Sequence, residues 1–251
     1  MTIKLLINAV SGGGKTSLLD SMGEDTLVIS RDGKTFNYPL PHMLVDTYVD
    51  MYTLIYGNEK IEYEGIVQKI CNYEAHFGKL PTNIVIDSVS QLTMDVLDVA
   101  SQKPDSWGSQ GKEATAELAL LTRFIHEELE LSGMNVILMS HVTEEKLEGK
   151  PTGNYIPYGQ GKFVQKGGFY SIVNESVTLI PRSGGNREVI LRDNDKLART
   201  IHKELPDKMW VQNINNPEKS KKLKEGEVYF NLQDHINYLT SKQSDVKKWS
   251  L

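Results

Sequence analysis

Residues 9–16 read A-V-S-G-G-G-K-T, which combines small residues, a lysine and a hydroxyl in a spacing that suits phosphate chemistry. The octet follows an apolar run over residues 3–7 and precedes Ser17-Leu18-Leu19, where a helix can begin. A strand, a glycine-rich turn and Lys-Thr at a helix start form the phosphate-binding P-loop arrangement. In this arrangement backbone N–H groups point at phosphate oxygens, and glycines let the main chain approach closely.

This motif gives its members distinct roles. Lys15 supplies a positive charge to the phosphates of a bound nucleotide, and the Thr16 hydroxyl ligates Mg²⁺. Ala9 stands where the usual G-x-x-x-x-G-K-[ST] pattern begins with glycine, so the strict pattern fails at one position. The alternative is a glycine-rich β-turn followed by a chance Lys-Thr pair. The predicted nucleotide-binding residues are Ala9, Ser11, Gly12, Gly13, Gly14, Lys15, Thr16 and Ser17.

A second apolar run ends in a carboxylate. Residues 84–88 read I-V-I-D-S, a short continuous run of the kind that forms a buried parallel strand. An Asp at the end of such a strand orients the Mg²⁺ shell in P-loop proteins, and we predict this role for Asp87. The alternative is that Asp87 caps the next helix, a task that Ser88 can also perform.

The elements that position these residues alternate along the chain, which predicts an α/β fold with a mostly parallel sheet flanked by helices. Two later segments, 176–181 and 188–192, read as strands joined by a turn and add antiparallel character. The length suits one domain over 1–251, with a core over about 1–210 and an extension over 211–251. Strands are predicted over about 3–9, 26–30, 83–87 and 135–141, and helices over about 16–22, 61–77, 90–100 and 113–131.

Composition restricts the function classes. The net charge of −5 means that any nucleic-acid binding must be local. A single cysteine, Cys71, excludes an intramolecular disulfide, and we expect it in a helix core of a cytoplasmic protein. No apolar stretch approaches membrane-spanning length, so we expect no membrane partner.

The order of these motifs resembles the RecA-type core ATPases, and most closely the small phage-encoded P-loop proteins of the Sak-type annealing and recombination family. Residues 9–16, D-S-V-S-Q-L-T at 87–93, V-I-L-M-S-H at 136–141 and G-G-F-Y-S-I-V-N-E-S-V-T-L-I at 167–180 carry the resemblance, over about 1–200. It implies a Mg²⁺-dependent ATPase that acts on single-stranded DNA in phage recombination, annealing or replication. The protein would work in the host cytoplasm as a homo-oligomeric ring or filament, with a single-strand-binding or other replication protein as a possible partner.

The resemblance also implies catalytic roles. Asp32 stands near the place of the glutamate that activates water in RecA, and His141 stands where RecA has a phosphate-sensing glutamine. Lys196 and Arg199 lie where related ATPases send a basic residue into the neighbouring subunit's site. The alternatives are a turn residue for Asp32, a buried structural histidine for His141 and a solvated basic pair.

Residues 149–171 contain no acid and interleave lysines with aromatic rings, which suits single-stranded DNA because lysines meet phosphates and rings stack on bases. We expect a long flexible loop here; a lid or an oligomer contact is the alternative. A second candidate loop is 101–111, with Trp107. The predicted DNA-binding residues are Lys150, Tyr155, Tyr158, Lys162, Phe163 and Lys166.

Two other functions fit the P-loop alone. One is a kinase that phosphorylates a nucleotide or small molecule, although no compact arginine-rich lid is present in the sequence. The other is a switch that binds nucleotide without appreciable hydrolysis and recruits replication partners. DNA-stimulated phosphate release distinguishes the predicted ATPase from both.

Overall fold

The computed structural model describes residues 2–31, 40–102, 109–158, 168–213 and 216–246. Its strands are β1 (Lys4–Ala9), β2 (Thr26–Ser30), β3 (His42–Leu44), β4 (Asn83–Asp87), β5 (Asn135–Leu147), β6 (Lys150–Pro157), β7 (Glu175–Pro181), β8 (Arg187–Ile190), β9 (Lys208–Val211) and β10 (Tyr229–Phe230). Its α-helices are α1 (Met51–Tyr56), α2 (Ile66–Phe77), α3 (Val89–Ser101), α4 (Ser109–Arg123) and α5 (Leu232–Val246).

The strands form one sheet in the order β10-β9-β8-β7-β1-β5-β4-β2-β3, with β6 paired to the far part of β5. From β7 to β3 every neighbouring pair is parallel, whereas β8 is antiparallel to both β7 and β9. This arrangement confirms the predicted α/β fold, with its mostly parallel sheet and antiparallel C-terminal strands.

Apolar residues at alternate positions of β1 enter two different cores, because successive side chains of a strand point to opposite faces. Leu6 packs in the core that α1, α2, α3 and α4 cover. Leu5 and Ile7 pack in the opposite core, together with the short helix that follows β1 and with α5. All three side chains are at most 2% exposed, and burying each stabilises the fold by roughly 1.5–3 kcal/mol. Helices on both faces therefore hold β1 rigidly at the centre of the sheet.

The predicted loop over 149–171 is partly wrong, because residues 150–157 form strand β6. Strand β5 runs past its predicted end at 141 and pairs antiparallel with β6 across a two-residue turn. Both turn residues, Glu148 and Gly149, have positive φ, which is the backbone of a tight hairpin. Three of the predicted DNA-binding residues, Lys162, Phe163 and Lys166, lie outside the described residues, as do Asp32 and Trp107.

Three smaller expectations also changed. The segment after residue 15 is a 3₁₀-helix, Thr16–Ser21, rather than an α-helix. The predicted helix over 113–131 divides into α4 and a π-helix, Phe124–Leu129. Cys71 is exposed on α2 rather than buried in the core. Within the ranges that the structure describes, no helix combines the length and the apolar character needed to cross a membrane.

Candidate functional site

The glycine-rich turn after β1 has a backbone that its sequence explains. Gly12 and Gly14 have φ values of +73° and +86°, which side-chain-bearing residues rarely adopt. At Gly13 an added Cβ would lie 2.8 Å from Ala9 Cβ, so the loop folds back onto the end of β1. The Gly13 N–H donates to the Val10 carbonyl at 2.9 Å and closes the turn.

The side chain of Lys15 connects this turn to the end of β5. Its side chain is 5% exposed, and its Nζ lies 3.1 Å from Nδ1 of His141. The backbone N–H of His141 donates to Ser90 Oγ at 2.5 Å, so α3 fixes the end of β5. Two residues that the sequence predicts for the site, Lys15 and His141, are therefore in direct contact.

Thr16 connects the same turn to the end of β4. Its hydroxyl donates to Oδ2 of Asp87 at 2.8 Å, and Asp87 is 1% exposed. A hydroxyl and a carboxylate brought this close are the hard oxygen donors that Mg²⁺ prefers. The donor set therefore fits the metal that the sequence predicts at Thr16 and Asp87.

These contacts meet at one edge of the sheet. Strands β1, β5 and β4 are parallel neighbours, with Ala9 opposite His141 and Asp87 opposite Met139. Ligands of open α/β sheets bind in the crevice at the carboxyl ends of the strands. The contacts of Lys15 with His141 and of Thr16 with Asp87 therefore lie at this edge of the sheet.

A groove of about 510 Å³ opens beside this cluster, and its polar side chains include Gln91 and Glu144, which the sequence did not assign. Gln91 belongs to the D-S-V-S-Q-L-T segment that follows β4, which was a usable signal. Glu144 was missed because β5 was expected to end before it. The groove is lined by Val10, Ser11, Gln91, His141, Val142, Thr143, Glu144 and Tyr158.

A further unassigned residue, Arg187, lies on the other side of the glycine-rich turn. Its Nη1 donates to Ser17 Oγ at 2.7 Å and to the Gly14 carbonyl at 3.4 Å. The contact joins residues that are 170 positions apart, so no local pattern could have revealed it.

The two basic residues predicted for a neighbouring subunit contact their own chain. Arg199 donates from Nη2 to the carbonyls of Val173 at 2.6 Å and Tyr170 at 3.3 Å, and stacks on the Tyr170 ring. Lys196 places its Nζ 5.2 Å from the centre of the Tyr155 ring on β6.

Two of the predicted DNA-binding residues, Lys150 and Tyr158, are exposed, whereas Tyr155 is partly buried. Burial raises the pKa of Tyr155, and the charge of Glu144, opposite it in the hairpin, adds to that rise. Tyr155 therefore offers less of its ring to a ligand than Tyr158 does.

In a comparison with protein-family models, the model described as an AAA domain, AAA_24, matches residues 1–200. Comparison with curated proteins finds no match. The matched range contains β1 to β8 and every residue of the cluster described above.

Proposed function

The chain belongs to the AAA domain family of P-loop NTPases, and from this premise we propose that it hydrolyses ATP with Mg²⁺ and couples hydrolysis to single-stranded DNA. Membership of the family implies nucleotide binding, typically with Mg²⁺. The observation that carries the choice of residues is the meeting of Lys15, Thr16, Asp87 and His141 at the ends of three neighbouring strands.

Hydrolysis proceeds by in-line attack of water on the γ-phosphate, so the protein mainly positions groups and stabilises charge. Lys15 neutralises charge on the phosphates, and the amides of residues 12–17 donate to phosphate oxygens. Thr16 and Asp87 would hold Mg²⁺, which would supply positive charge that offsets the negative charge of the phosphates. His141 donates to the γ-phosphate or to the attacking water.

Two carboxylates are candidates for orienting the water. Asp32 is the residue that the resemblance to RecA suggests. Glu144 is supported by its place in the same groove as His141 and Ser11. Asp32→Asn and Glu144→Gln, each measured for turnover and for ATP affinity, decide between them, because the orienting residue affects turnover far more than affinity.

The coupling to single-stranded DNA rests on Tyr158. Its ring is 50% exposed, and its backbone N–H donates to the His141 carbonyl at 3.0 Å, so a base stacked on this ring would lie next to the catalytic cluster. The neighbouring β5–β6 hairpin carries Lys146 and Lys150 but also three glutamates, at 144, 145 and 148. The hairpin alone is thus a weak electrostatic platform, and the lysines at 162 and 166 would have to contribute.

The first experiment measures phosphate release by the purified protein with and without single-stranded DNA. We expect turnover in the wild type and stimulation by DNA, and Lys15→Ala abolishes turnover while the protein stays folded. Lys112→Ala, which removes an exposed lysine of α4, is the matched control and keeps the wild-type rate. Lys15→Ala protein that turns over at the wild-type rate would refute the assigned site.

The second experiment tests Tyr158 separately. Tyr158→Ala should weaken DNA binding by about 1–3 kcal/mol and reduce the stimulation of turnover. Tyr52→Ala, which removes a ring of α1 that is 62% exposed, should change neither. If DNA does not stimulate turnover and Tyr158→Ala binds DNA as tightly as the wild type, the DNA role of this ring is rejected. The ATPase assignment is unaffected by that result.

A further inference from the structure

The strands on the two sides of β1 in the sheet bring different residues to the glycine-rich turn. His141 and Asp87 come from β5 and β4, which lie on one side of β1, and they contact Lys15 and Thr16. Strands β7 and β8 lie on the opposite side of β1. Because the γ-phosphate and the metal belong with Lys15, Thr16 and Asp87, the nucleoside end of the nucleotide must point toward β7 and β8.

Arg187, the first residue of β8, occupies that side. Its guanidinium approaches the turn so closely that a Cβ on Gly14 would lie 2.1 Å from Nη1. Glycine is therefore required at position 14 for two reasons: the backbone has a positive φ, and a side chain would occupy the space of the guanidinium. Among the described residues, the guanidinium has two hydrogen-bond partners, Ser17 and Gly14, and Nη1 donates to both.

The hairpin that carries Arg187 holds it in place. The Arg182 N–H donates to the Asn186 carbonyl at 2.8 Å and closes the turn between β7 and β8. Arg187 then pairs with Pro181 in the ladder, and β9 pairs with β8 from the other edge. The backbone of Arg187 thus belongs to a regular sheet, and the hydrogen bonds to Ser17 and Gly14 hold its guanidinium.

A small cleft of about 40 Å³ adjoins Arg187. It is lined by Ser17 and Asp20 of the 3₁₀-helix, by the turn residues Gly185 and Asn186, by Arg187, and by the segment Val211, Gln212 and Asn213. The amide side chains of Asn186, Gln212 and Asn213 carry both donors and acceptors, which is the chemistry that base edges and ribose hydroxyls need.

We propose that Arg187 binds the α-phosphate of the nucleotide within its own chain and that the polar side chains of the small cleft beside it contact the attached nucleoside. This inference rests on the proposed ATPase function and adds a residue that binds the phosphate nearest the nucleoside. A guanidinium suits the position because its planar fork gives a phosphate two parallel charge-assisted hydrogen bonds. Ser17 Oγ, 2.7 Å from Nη1, orients the fork.

The test measures the affinity of the full chain for ADP, for inorganic pyrophosphate and for the two diastereomers of ADP sulfur-substituted at the α-phosphate. Arg187→Ala should weaken ADP binding by about 10- to 100-fold, the loss of a charge-assisted hydrogen bond, and should abolish discrimination between the diastereomers. Arg187→Lys should recover part of the affinity, since it keeps a charge without the fork. Arg182→Ala, on the same hairpin but paired with Glu188, is the control and should bind ADP as the wild type does.

A separate measurement, the ratio of ADP affinity to pyrophosphate affinity, tests the cleft. Asn213→Ala should reduce the ratio of ADP affinity to pyrophosphate affinity by about 3- to 10-fold, since one hydrogen bond to the nucleoside is lost. Lys15→Ala should weaken both ligands together. If the wild type binds ADP and Arg187→Ala and Arg187→Lys bind it equally well, with diastereomer discrimination unchanged, this inference is wrong and the proposed function stands. If the wild type binds no nucleotide, both are wrong.

Discussion

Lys15 constrains the hydrogen-bonding role of a neighbouring ring. An ammonium group has donors and no acceptor, so Nδ1 of His141, 3.1 Å away, must accept. The ring proton then lies on Nε2, and Nε2 is the atom that can donate to a ligand.

This geometry predicts different results for two substitutions of His141. His141→Gln keeps a donor at about the same reach and should retain turnover within about tenfold, whereas His141→Phe removes the donor and should lose about 10²–10³-fold. Steady-state phosphate release at saturating ATP measures the difference, and ADP affinity serves as the control for folding and binding. Equal turnover in His141→Phe and the wild type would exclude the donor role.

Asp87 makes a prediction about the metal. Asp87→Asn keeps the size of the side chain but removes the negative charge beside Thr16, so the Mg²⁺ concentration for half-maximal turnover should rise by about 10- to 100-fold. Titration of Mg²⁺ at fixed ATP gives this value. Asp98→Asn, on the exposed face of α3, is the matched control. An unchanged Mg²⁺ requirement in Asp87→Asn would place the metal elsewhere.

At the scale of elements, the strands that were predicted correctly are those that continuous apolar runs mark in the sequence. The bounds of β2 and β4 match the predictions because both strands are buried on two faces and read as unbroken apolar segments. Strand β6 escaped notice because both faces of its hairpin with β5 are largely polar, so no apolar alternation marks it. Its turn, Glu148-Gly149, was the available signal.

The residues of the candidate site likewise include some that the sequence predicts and some that it does not. Lys15, Thr16 and Asp87 were predictable because their spacing follows a local motif and a strand end. Arg187 and Glu144 were not, because they reach the site through the pairing of distant strands. Tertiary contacts between residues far apart in sequence leave no periodicity for a single sequence to display.

Helix α5 makes a prediction about stability and pH. Its His235 is 5% exposed, its ring packs against Phe230, and burial, together with the nearby His202, lowers its pKa to about 4. The unfolded chain has the ordinary histidine pKa of about 6.5, so it binds a proton first as the pH falls. The contribution to stability is therefore complete above pH 6.5 and is lost as the pH falls from about 6.5 to about 4.

The total loss over this range is on the order of 3 kcal/mol for His235. His235→Phe should remove it, so urea unfolding at pH 7.5 and pH 5.0 should show a smaller difference in the variant than in the wild type. Other titrating groups, such as the buried Glu175, contribute to both proteins equally. His76→Phe, at an exposed position of α2, should leave the difference unchanged. A wild-type pH dependence in His235→Phe would contradict the prediction.

At the scale of the whole molecule, charge and assembly decide what the site can do. The chain carries a net charge of −5, so long-range repulsion opposes binding to DNA and any contact must come from a local surface. A partner copy that completes the ATP site would also bring its own basic groups. Lys196 is the better placed of the two candidates, since Arg199 would have to leave the carbonyls of Val173 and Tyr170.

Completion of the site by a second copy predicts that activity depends on assembly. Turnover per chain should rise with protein concentration until self-association is complete. Lys196→Ala should keep nucleotide affinity within a few-fold but lose much of its turnover, because a contact to the γ-phosphate strengthens mainly in the transition state. Arg199→Ala should instead lower the melting temperature, since it removes the hydrogen bonds that hold residues 170–173.

Mixing gives the decisive measurement. Lys15→Ala chains keep an intact Lys196, and Lys196→Ala chains keep an intact glycine-rich turn, so interfaces between the two variants contain one complete site. Co-assembled mixtures should therefore regain part of the wild-type turnover that neither variant shows alone. A mixture of Lys15→Ala with the control Lys112→Ala should show only the turnover of the control chains. If the two inactive variants co-assemble without recovery, or if dilute wild-type monomers hydrolyse ATP at the full rate, Lys196 does not act across the interface.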